Sequence, residues 1–267
     1  YSVETNFSAS VRKNVTKNLY VSNFSWRDDI VYTGNVFCYD YFGFGNSRNV
    51  QFTVDTPEIR ICRNLTVSNR HTYRLLNNLI TNKTCLEIKA DNITLEGNDF
   101  IVDGNRTSGT YGVNMFQRRD ITIKNITIDN FDNGINSFNA NGFLNLFDID
   151  SIVNKGNGIF LQDPGYTFGN YFQIFNNINA SENDNIGIYM NRVAFANFSN
   201  IITFNNVGDG IKYVADIGSG SSQSFNFVNI TTNSNSDGFD ISAGANNAII
   251  NNLFASGNGA NGLRISG

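Results

Sequence analysis

The sequence has only one histidine, two methionines, three cysteines and two prolines among its 267 residues. A Cys/His zinc site of the usual spacing cannot be built from so few ligands, and neither can a copper site made of several His and Met. Two prolines also argue against a proline-rich disordered chain. We therefore expect no metal or cofactor, and acid–base chemistry could use only carboxylates, Lys, Arg, Tyr or His71.

Charge and long apolar runs are scarce as well. Charged residues make up 16% of the chain and the net charge is −4. No run of Lys and Arg forms a basic stripe, which argues against a nucleic-acid partner. No apolar stretch approaches the roughly 20 residues of a membrane span, so we expect none in this chain. Because the chain begins at Tyr1 rather than Met, we expect it to be processed or partial.

Asparagine, glycine and aromatic residues are abundant instead. The chain contains 46 Asn, 24 Gly, 23 Phe and 11 Tyr. Asn and Gly disfavour the interior of a helix, whereas aromatic and β-branched residues favour strands. The composition therefore predicts an all-β protein.

A glycine followed by an apolar residue recurs through the second half of the chain at intervals of 22 to 29 residues. Its members are Gly112, Gly134, Gly158, Gly187, Gly210, Gly238 and Gly262. Several follow Asn or Asp, and we expect these pairs to form tight turns through their tolerance of positive φ.

A second landmark reads apolar, any residue, Asn, apolar, and it precedes the next glycine landmark by a nearly constant distance. Ser151 replaces the Asn in one repeat. If the repeats stack as coils, these asparagines form a ladder of side-chain amides, either inside the protein or in a turn. The predicted ladder consists of Asn125, Asn177, Asn200, Asn229 and Asn252.

Between the landmarks, short segments such as Ile121-Thr122-Ile123 alternate apolar and polar residues, as half-buried strands do. Repeats of this length are too short for a propeller blade and lack helical periodicity. They fit one coil of a parallel β-helix, also called a β-solenoid. We therefore expect residues 61–267 to form a β-helix of about 7–9 coils.

The beginning of this region carries a more specific pattern. It contains Cys62, Tyr73, Leu75 and Cys85, followed by an Asp-Asn-Ile-Thr-Leu segment at 91–95 and an Ile-Val-Asp-Gly segment at 101–104. The pattern resembles the right-handed parallel β-helix repeat proteins of archaeal cell surfaces, whose repeat is shared with pectinase-type and copper-insertion accessory proteins. Asp99-Phe100 departs from the Gly-His that is usual there. The resemblance covers roughly 60–267 and implies right-handed winding, a cell-surface location and a Cys62–Cys85 disulfide.

Residues 1–60 differ from the rest, because they are rich in aromatic residues and lack the glycine landmark. We interpret them as a separate β segment or as a cap over the end of the helix, where an open sheet edge would otherwise aggregate. Cys38 is then a lone thiol, either buried or linked to another chain. Residues 262–267 stop in mid-coil, so either the native chain continues or this face meets another subunit.

The N-glycosylation sequon Asn-x-Ser/Thr occurs eleven times. Asn125 and Asn229 belong to the predicted ladder, where a glycan would not fit if the ladder is internal. We expect N-glycans on a subset of the other nine, above all within the first 110 residues. These nine are Asn6, Asn14, Asn23, Asn64, Asn82, Asn92, Asn105, Asn179 and Asn197.

One segment resembles an active site. Asn235-Ser236-Asp237-Gly238-Phe239-Asp240 is similar to the catalytic segment of pectinase-type glycosidases, where the residue matching Asp237 acts with an Asp pair on the next coil. That pair and a following His are missing here, so we predict no catalytic residue. Asp209, Lys212 and Arg264 could join Asp237 and Asp240 on stacked coils, as in a Ca²⁺-dependent lyase, but solvated acidic turns are the interpretation we favour.

These observations predict a secreted, N-glycosylated cell-surface protein with a structural role, self-assembling into an extracellular layer, sheath or filament and without enzymatic activity. The alternative is a carbohydrate-binding or carbohydrate-cleaving β-helix. Its site would lie beside the enlarged turn marked by Asp216 and the Gly/Ser stretch at 218–222, with Tyr213 and Asp216 as contacts.

Overall fold

A computed structural model of the chain describes residues 31–39, 45–53, 58–66, 71–139, 142–162, 173–193, 195–214, 224–242 and 247–266. The chain divides into two compact units, Tyr1–Thr56 and Pro57–Gly267. All secondary-structure elements among the described residues are β-strands, which confirms the all-β prediction.

The strands are short, and most recur in pairs along the chain. In chain order they are β1 (Val31–Tyr39), β2 (Gly45–Thr53), β3 (Glu58–Ile59), β4 (Arg63–Leu65), β5 (His71–Leu75), β6 (Leu79–Ile80), β7 (Leu86–Ile88), β8 (Ile93–Asp103), β9 (Tyr111–Phe116), β10 (Ile121–Asp129), β11 (Asn133–Phe138), β12 (Leu144–Ile152), β13 (Ile159–Gln162), β14 (Gln173–Asn179), β15 (Ile188–Asn191), β16 (Phe195–Phe204), β17 (Ile211–Val214), β18 (Ser224–Asn233), β19 (Phe239–Ser242), β20 (Asn247–Ser256) and β21 (Leu263–Ser266).

In the first unit, β1 and β2 form an antiparallel pair running from Val31 opposite Thr53 to Tyr39 opposite Gly45. Residues 1–30 lie outside the described part of the chain, and so do most of the aromatic residues that set this region apart. The interpretation of 1–60 as a cap stays a prediction.

In the second unit, the described strands form two parallel sheets. The first sheet has the order β20-β18-β16-β14-β12-β10-β8-β5-β3, and β6 also pairs with β8. The second has the order β21-β19-β17-β15-β13-β11-β9-β7-β4. The chain passes from one sheet to the other and returns to pair beside its earlier strand, so each strand stacks on its equivalent in the preceding repeat. This is a parallel β-helix-like fold, and the predicted stacking of repeats is confirmed.

The core lies between the sheets and consists of stacked columns. In β10, Ile121, Ile123, Ile126 and Ile128 are buried. The register places Ile123 beside Leu146 of β12 on one side and Leu95 of β8 on the other. Because like positions align in successive strands, the period-two pattern of one strand becomes a continuous apolar column.

Buried aromatic residues form another stacked column of the core. The rings of Phe175 and Phe198 stack with centroids 4.6 Å apart, and those of Phe198 and Phe227 follow at 4.7 Å. The ring of Phe239, from the second sheet, meets Phe227 edge-on at 4.7 Å. Each buried aromatic contributes about 2–3 kcal/mol through burial, so this column is a large part of what holds the sheets together.

The landmark glycines begin the strands of the second sheet, and the reason for them differs from the one predicted. None of them has a positive φ. They are needed for space instead, because a Cβ on Gly187 would lie 2.5 Å from the carbonyl oxygen of Gly210 and 2.6 Å from that of Ala180. The prediction that the Asn-Gly and Asp-Gly pairs rely on a positive φ was therefore wrong.

We predict that Gly187→Ala destabilises the protein by about 2 kcal/mol or more, because backbone atoms must move to admit the methyl group. Gly259→Ala is the matched control, since the nearest atoms to its added Cβ are 3.7 Å away. Urea unfolding followed by circular dichroism measures both changes. Equal midpoints for the two variants would contradict this account of the glycine column.

Candidate functional site

The predicted disulfide is present. Cys62 and Cys85 are bonded, with their Cα atoms 4.5 Å apart and a sequence separation of 23. They precede β4 and β7, which are neighbours in the second sheet. The bond therefore joins two stacked repeats, and in the chain-entropy view it contributes roughly 3 kcal/mol.

The asparagines of the predicted ladder lie on the surface, at a bend in the strands of the first sheet. All five have φ between 53° and 57°, a conformation that Asn tolerates better than most residues. At this point two consecutive residues point outward, and the strand turns. Neighbouring amides are hydrogen-bonded, with Asn252 Nδ2 donating to Asn229 Oδ1 at 3.0 Å and Asn229 Nδ2 to Asn200 Oδ1 at 3.1 Å.

The rest of this column bonds to other acceptors. Asn177 Nδ2 donates to Asp148 Oδ1 and Asn125 Nδ2 to Glu96 Oε1, both at 2.8 Å. Asp148, with φ 54°, is the member of the column in its repeat. The sequence pattern predicts Ser151 at this ladder position. Ser151 is instead fully buried and faces the core. That assignment was wrong by three residues.

A second asparagine ladder, buried between the sheets, was not predicted. Asn183 Oδ1 accepts hydrogen bonds from both the backbone N and the Nδ2 of Asn154, at 2.9 and 3.0 Å. Asn206 Oδ1 accepts the same pair from Asn183, and Asn235 Oδ1 accepts it from Asn206. Asn258 continues the series. Losing one such buried amide would leave its partners unpaired, at a cost of about 1–3 kcal/mol each.

The buried ladder has a faint sequence signal. Each of its asparagines stands three or four residues before a landmark glycine, as Asn206 stands before Gly210 and Asn235 before Gly238. Their neighbours follow no apolar pattern, because they lie in the connections between the sheets. The abundance of other asparagines hides the series.

The sequons differ in accessibility. Asn64, Asn82 and Asn105 are exposed, whereas Asn92, Asn179 and Asn197 are half-buried. Asn6, Asn14 and Asn23 lie outside the described residues. Asn64 points outward from the second sheet, and the other two exposed sequons follow β6 and β8 in the connections towards that sheet.

The pectinase-like segment lies on the second sheet, in an ion-pair network. The carboxylates of Asp209, Asp237 and Asp240 offer oxygens within 4.8 Å of one another. Lys212 Nζ lies 3.1 Å from Asp209 and 3.2 Å from Asp240. Arg264 donates to Asp240 from Nε at 2.9 Å and from Nη2 at 2.6 Å, and its Nη1 lies 3.2 Å from Asp237.

This network differs from an acid–base pair. Burial alone would raise the pKa of Asp240, but hydrogen bonds from Arg264 and Lys212 outweigh it and hold that pKa below its ordinary value. Asp237 Oδ1 is occupied by the backbone N and the Nδ2 of Asn261, at 2.9 and 2.8 Å. A glycosidase acid needs a raised pKa and a base needs room for water. The geometry is that of paired structural charges.

The remaining candidates are dispersed. Tyr213 is buried, and its hydroxyl donates to the carbonyl of Val193 at 3.3 Å, so its ring cannot serve as a surface contact. Asp216 lies outside the described residues. His71 begins β5, next to Ile93 of β8. Cys38 lies in β1 opposite Asn46, and its pairing stays a prediction.

The outer face of the second sheet carries a groove that sequence analysis missed. Its volume is about 520 Å³, and it is lined by aromatic rings and amides. Phe116 and Phe138 stack at 5.6 Å on β9 and β11, and Phe160 and Tyr189 stack at 5.2 Å on β13 and β15. We call this surface, together with Tyr111, Asn114, Asn133 and Asn136, the aromatic–amide face.

Amides connect the rings of this face. Asn114 and Asn136 are register partners, and Asn136 Nδ2 donates to Asn114 Oδ1 at 2.8 Å. Asn136 is in turn the register partner of Phe160. Asn133 Oδ1 accepts from the backbone N and the Nδ2 of Asn157 at 2.8 and 3.1 Å. The face thus combines flat apolar surfaces with amides held in position by their neighbours.

A pair of carboxylates lies at the end of the strands of the first sheet. Asp103 and Asp129 are register partners on β8 and β10. Partial burial and repulsion from the Asp103 carboxylate raise the pKa of Asp129 to about 6. Asn130 Nδ2 donates to Asp103 Oδ1 at 2.9 Å.

We predict that acidification stabilises the native chain through Asp129. Because its native pKa lies above the unfolded value of 3.8, its contribution is fully present below about pH 4 and is lost as pH rises through about 6. Asp129→Asn should remove this slope and stabilise the protein at pH 7 by about 1 kcal/mol, allowing for partial exposure. Urea unfolding from pH 4 to 7 measures it, with exposed Asp150→Asn as control. Parallel pH profiles of wild type and Asp129→Asn would refute the assignment.

No helix among the described residues is long and apolar enough to cross a membrane. Comparison of the chain with protein-family models, curated proteins and solved structures finds no match. Its function must therefore be argued from its own residues.

Proposed function

We propose that this chain is a secreted, N-glycosylated structural protein of a cell surface, and that it assembles into an extracellular layer, sheath or filament. The observation that carries the proposal is the pair of asparagine ladders, which run from repeat to repeat along the stack beside the continuous hydrophobic core. The archaeal origin rests on the sequence resemblance alone.

We infer right-handed winding, because a connection between parallel strands of one sheet is right-handed in nearly all proteins. Each of the nine described strands of the second sheet would mark one coil, at the upper end of the predicted range.

An oxidising location is supported by the Cys62–Cys85 bond, since disulfides form and persist chiefly outside the reducing cytosol. Exposed sequons agree with a glycosylated surface. A network of amides is also well suited to such a surface, because its hydrogen bonds do not titrate and depend little on salt, unlike exposed ion pairs.

Catalysis is not part of the proposal. In the segment that resembles a glycosidase, each of the three carboxylates already contacts Lys212 or Arg264. Those pairs stabilise the fold where a hydrolase would need one free acid and one free base.

We predict that N-glycans occupy sequons whose Asn side chain is exposed and not those whose Asn Nδ2 is hydrogen-bonded in the ladder. Asn64, Asn82 and Asn105 should be glycosylated when the chain is secreted by a glycosylating host. Asn125 and Asn229 should not, because the Nδ2 that would carry the glycan donates to Glu96 and Asn200. Glycopeptide mass spectrometry measures occupancy, and Asn-to-Gln substitution at each exposed site provides the control. Occupancy of Asn229 equal to that of Asn64 would contradict the ladder's role.

We also predict ordered assemblies. Negative-stain electron microscopy of the natively purified protein over a range of concentrations should show filaments, tubes or sheets with a regular repeat. Reduction of the disulfide should lower the thermal stability of the subunit. Dispersed single particles at every concentration would count against the structural proposal.

A further inference from the structure

We propose that the aromatic–amide face binds a neutral polysaccharide chain. The proposal goes beyond the structural role, because it assigns a ligand to a surface that the fold does not need. The occupant to which the geometry points is a chain of uncharged sugar rings lying along the stack, across β9, β11, β13 and β15.

Exposed aromatic rings are the first reason. Phe116 is 52% exposed on the outer face of a strand, and Phe138, Phe160 and Tyr189 are half-exposed. Their planes are nearly parallel within each pair, at 15° for Phe116–Phe138 and 10° for Phe160–Tyr189. A sugar ring presents an apolar face of C–H groups, and a flat aromatic ring is the side chain that packs against such a face over the largest area.

The amides supply the polar part of recognition. Asn136 Oδ1 and Asn133 Nδ2 form no hydrogen bond within the described part of the chain, while the other half of each amide is held by a neighbour. One acceptor and one donor are therefore fixed in direction and open to the groove. Sugar hydroxyls both donate and accept, so they match this arrangement.

The charge distribution selects a neutral ligand. No charged side chain lines the groove. On one side the same outward column continues to Glu87, which is paired with Lys89 at 2.8 Å, and on the other to Lys212, which is paired with Asp209 and Asp240. A polyanion would find no free cation among these residues, and a polycation no free carboxylate.

Dimensions favour a chain over a single sugar. Four adjacent strands at about 4.8 Å give a continuous surface of roughly 14 Å, open to solvent along its length. An open, shallow groove buries less of each ring than an enclosed pocket does, so affinity should come from several sugar units bound at once.

The test is native affinity electrophoresis of the folded full chain in gels containing xyloglucan, galactomannan, hydroxyethylcellulose or laminarin, with polygalacturonate as the anionic comparison. We expect retardation by at least one neutral polysaccharide. Phe138→Ala and Phe160→Ala should each weaken that affinity about tenfold, since each removes a stacking surface.

Phe254→Ala is the matched control. Phe254 is 62% exposed on β20 of the first sheet, so it removes an exposed ring away from the aromatic–amide face. Circular dichroism and thermal unfolding establish that all variants fold. Should an aromatic variant fail to fold, Asn136→Ala tests the same groove through its open acceptor, with an expected loss of about fivefold.

Retention of affinity by Phe254→Ala together with its loss in the groove variants supports the proposal. Equal affinity in all variants would place binding elsewhere and overturn it. Failure of every neutral polysaccharide to retard the chain would also overturn it, as would salt-sensitive retardation by polygalacturonate alone. None of these results depends on whether the protein assembles.

Discussion

In-register stacking of equivalent strands is the constraint from which the other features of the second unit follow. Backbone hydrogen bonds such as Ile188 N to Gly210 O, at 2.9 Å, connect each repeat to the next. They hold successive repeats at about 4.8 Å and align like positions. The nearest neighbours of each side chain are then the side chains at the equivalent positions of the repeats above and below. A residue type can therefore fill a column only if it packs well against copies of itself.

This self-compatibility explains the unusual composition. An amide carries both donors and an acceptor, so a column of Asn can bond to itself indefinitely, as the buried ladder does. Isoleucine and phenylalanine stack on themselves equally well. Carboxylates do not, and in the stacked pair Asp103–Asp129 partial burial and repulsion raise the pKa of Asp129 to about 6. Where charge occurs on the second sheet it alternates in sign, from Lys212 to Asp240 to Arg264. A low content of charged residues is thus a consequence of the architecture.

The repeat length, the strands, the Cys62–Cys85 bond and the parallel stacking could all be predicted, because each leaves a local pattern that recurs along the chain. Two features could not. The most regular asparagine signal in the sequence has apolar residues on both sides, and it predicts the surface ladder at the bend rather than the buried one. The buried ladder lies in connections that have no apolar pattern, so only its distance of three or four residues from the landmark glycines marks it. The aromatic–amide face depends on register, since Phe116, Asn136 and Phe160 become neighbours only when three strands align.

The hydrogen bonds around the Asn-Gly pairs have a consequence for the chemical ageing of the protein. An Asn followed by Gly ordinarily deamidates fastest, because the glycine nitrogen can swing onto the side-chain carbonyl and close a five-membered imide. At Asn157-Gly158 that nitrogen donates to the Ile186 carbonyl at 3.0 Å, while the Asn157 carboxamide donates to Asn133 and accepts from Ile186 N. Neither reacting group can move without breaking the bonds between repeats. The stacking that orders the fold thus also protects this peptide unit from deamidation.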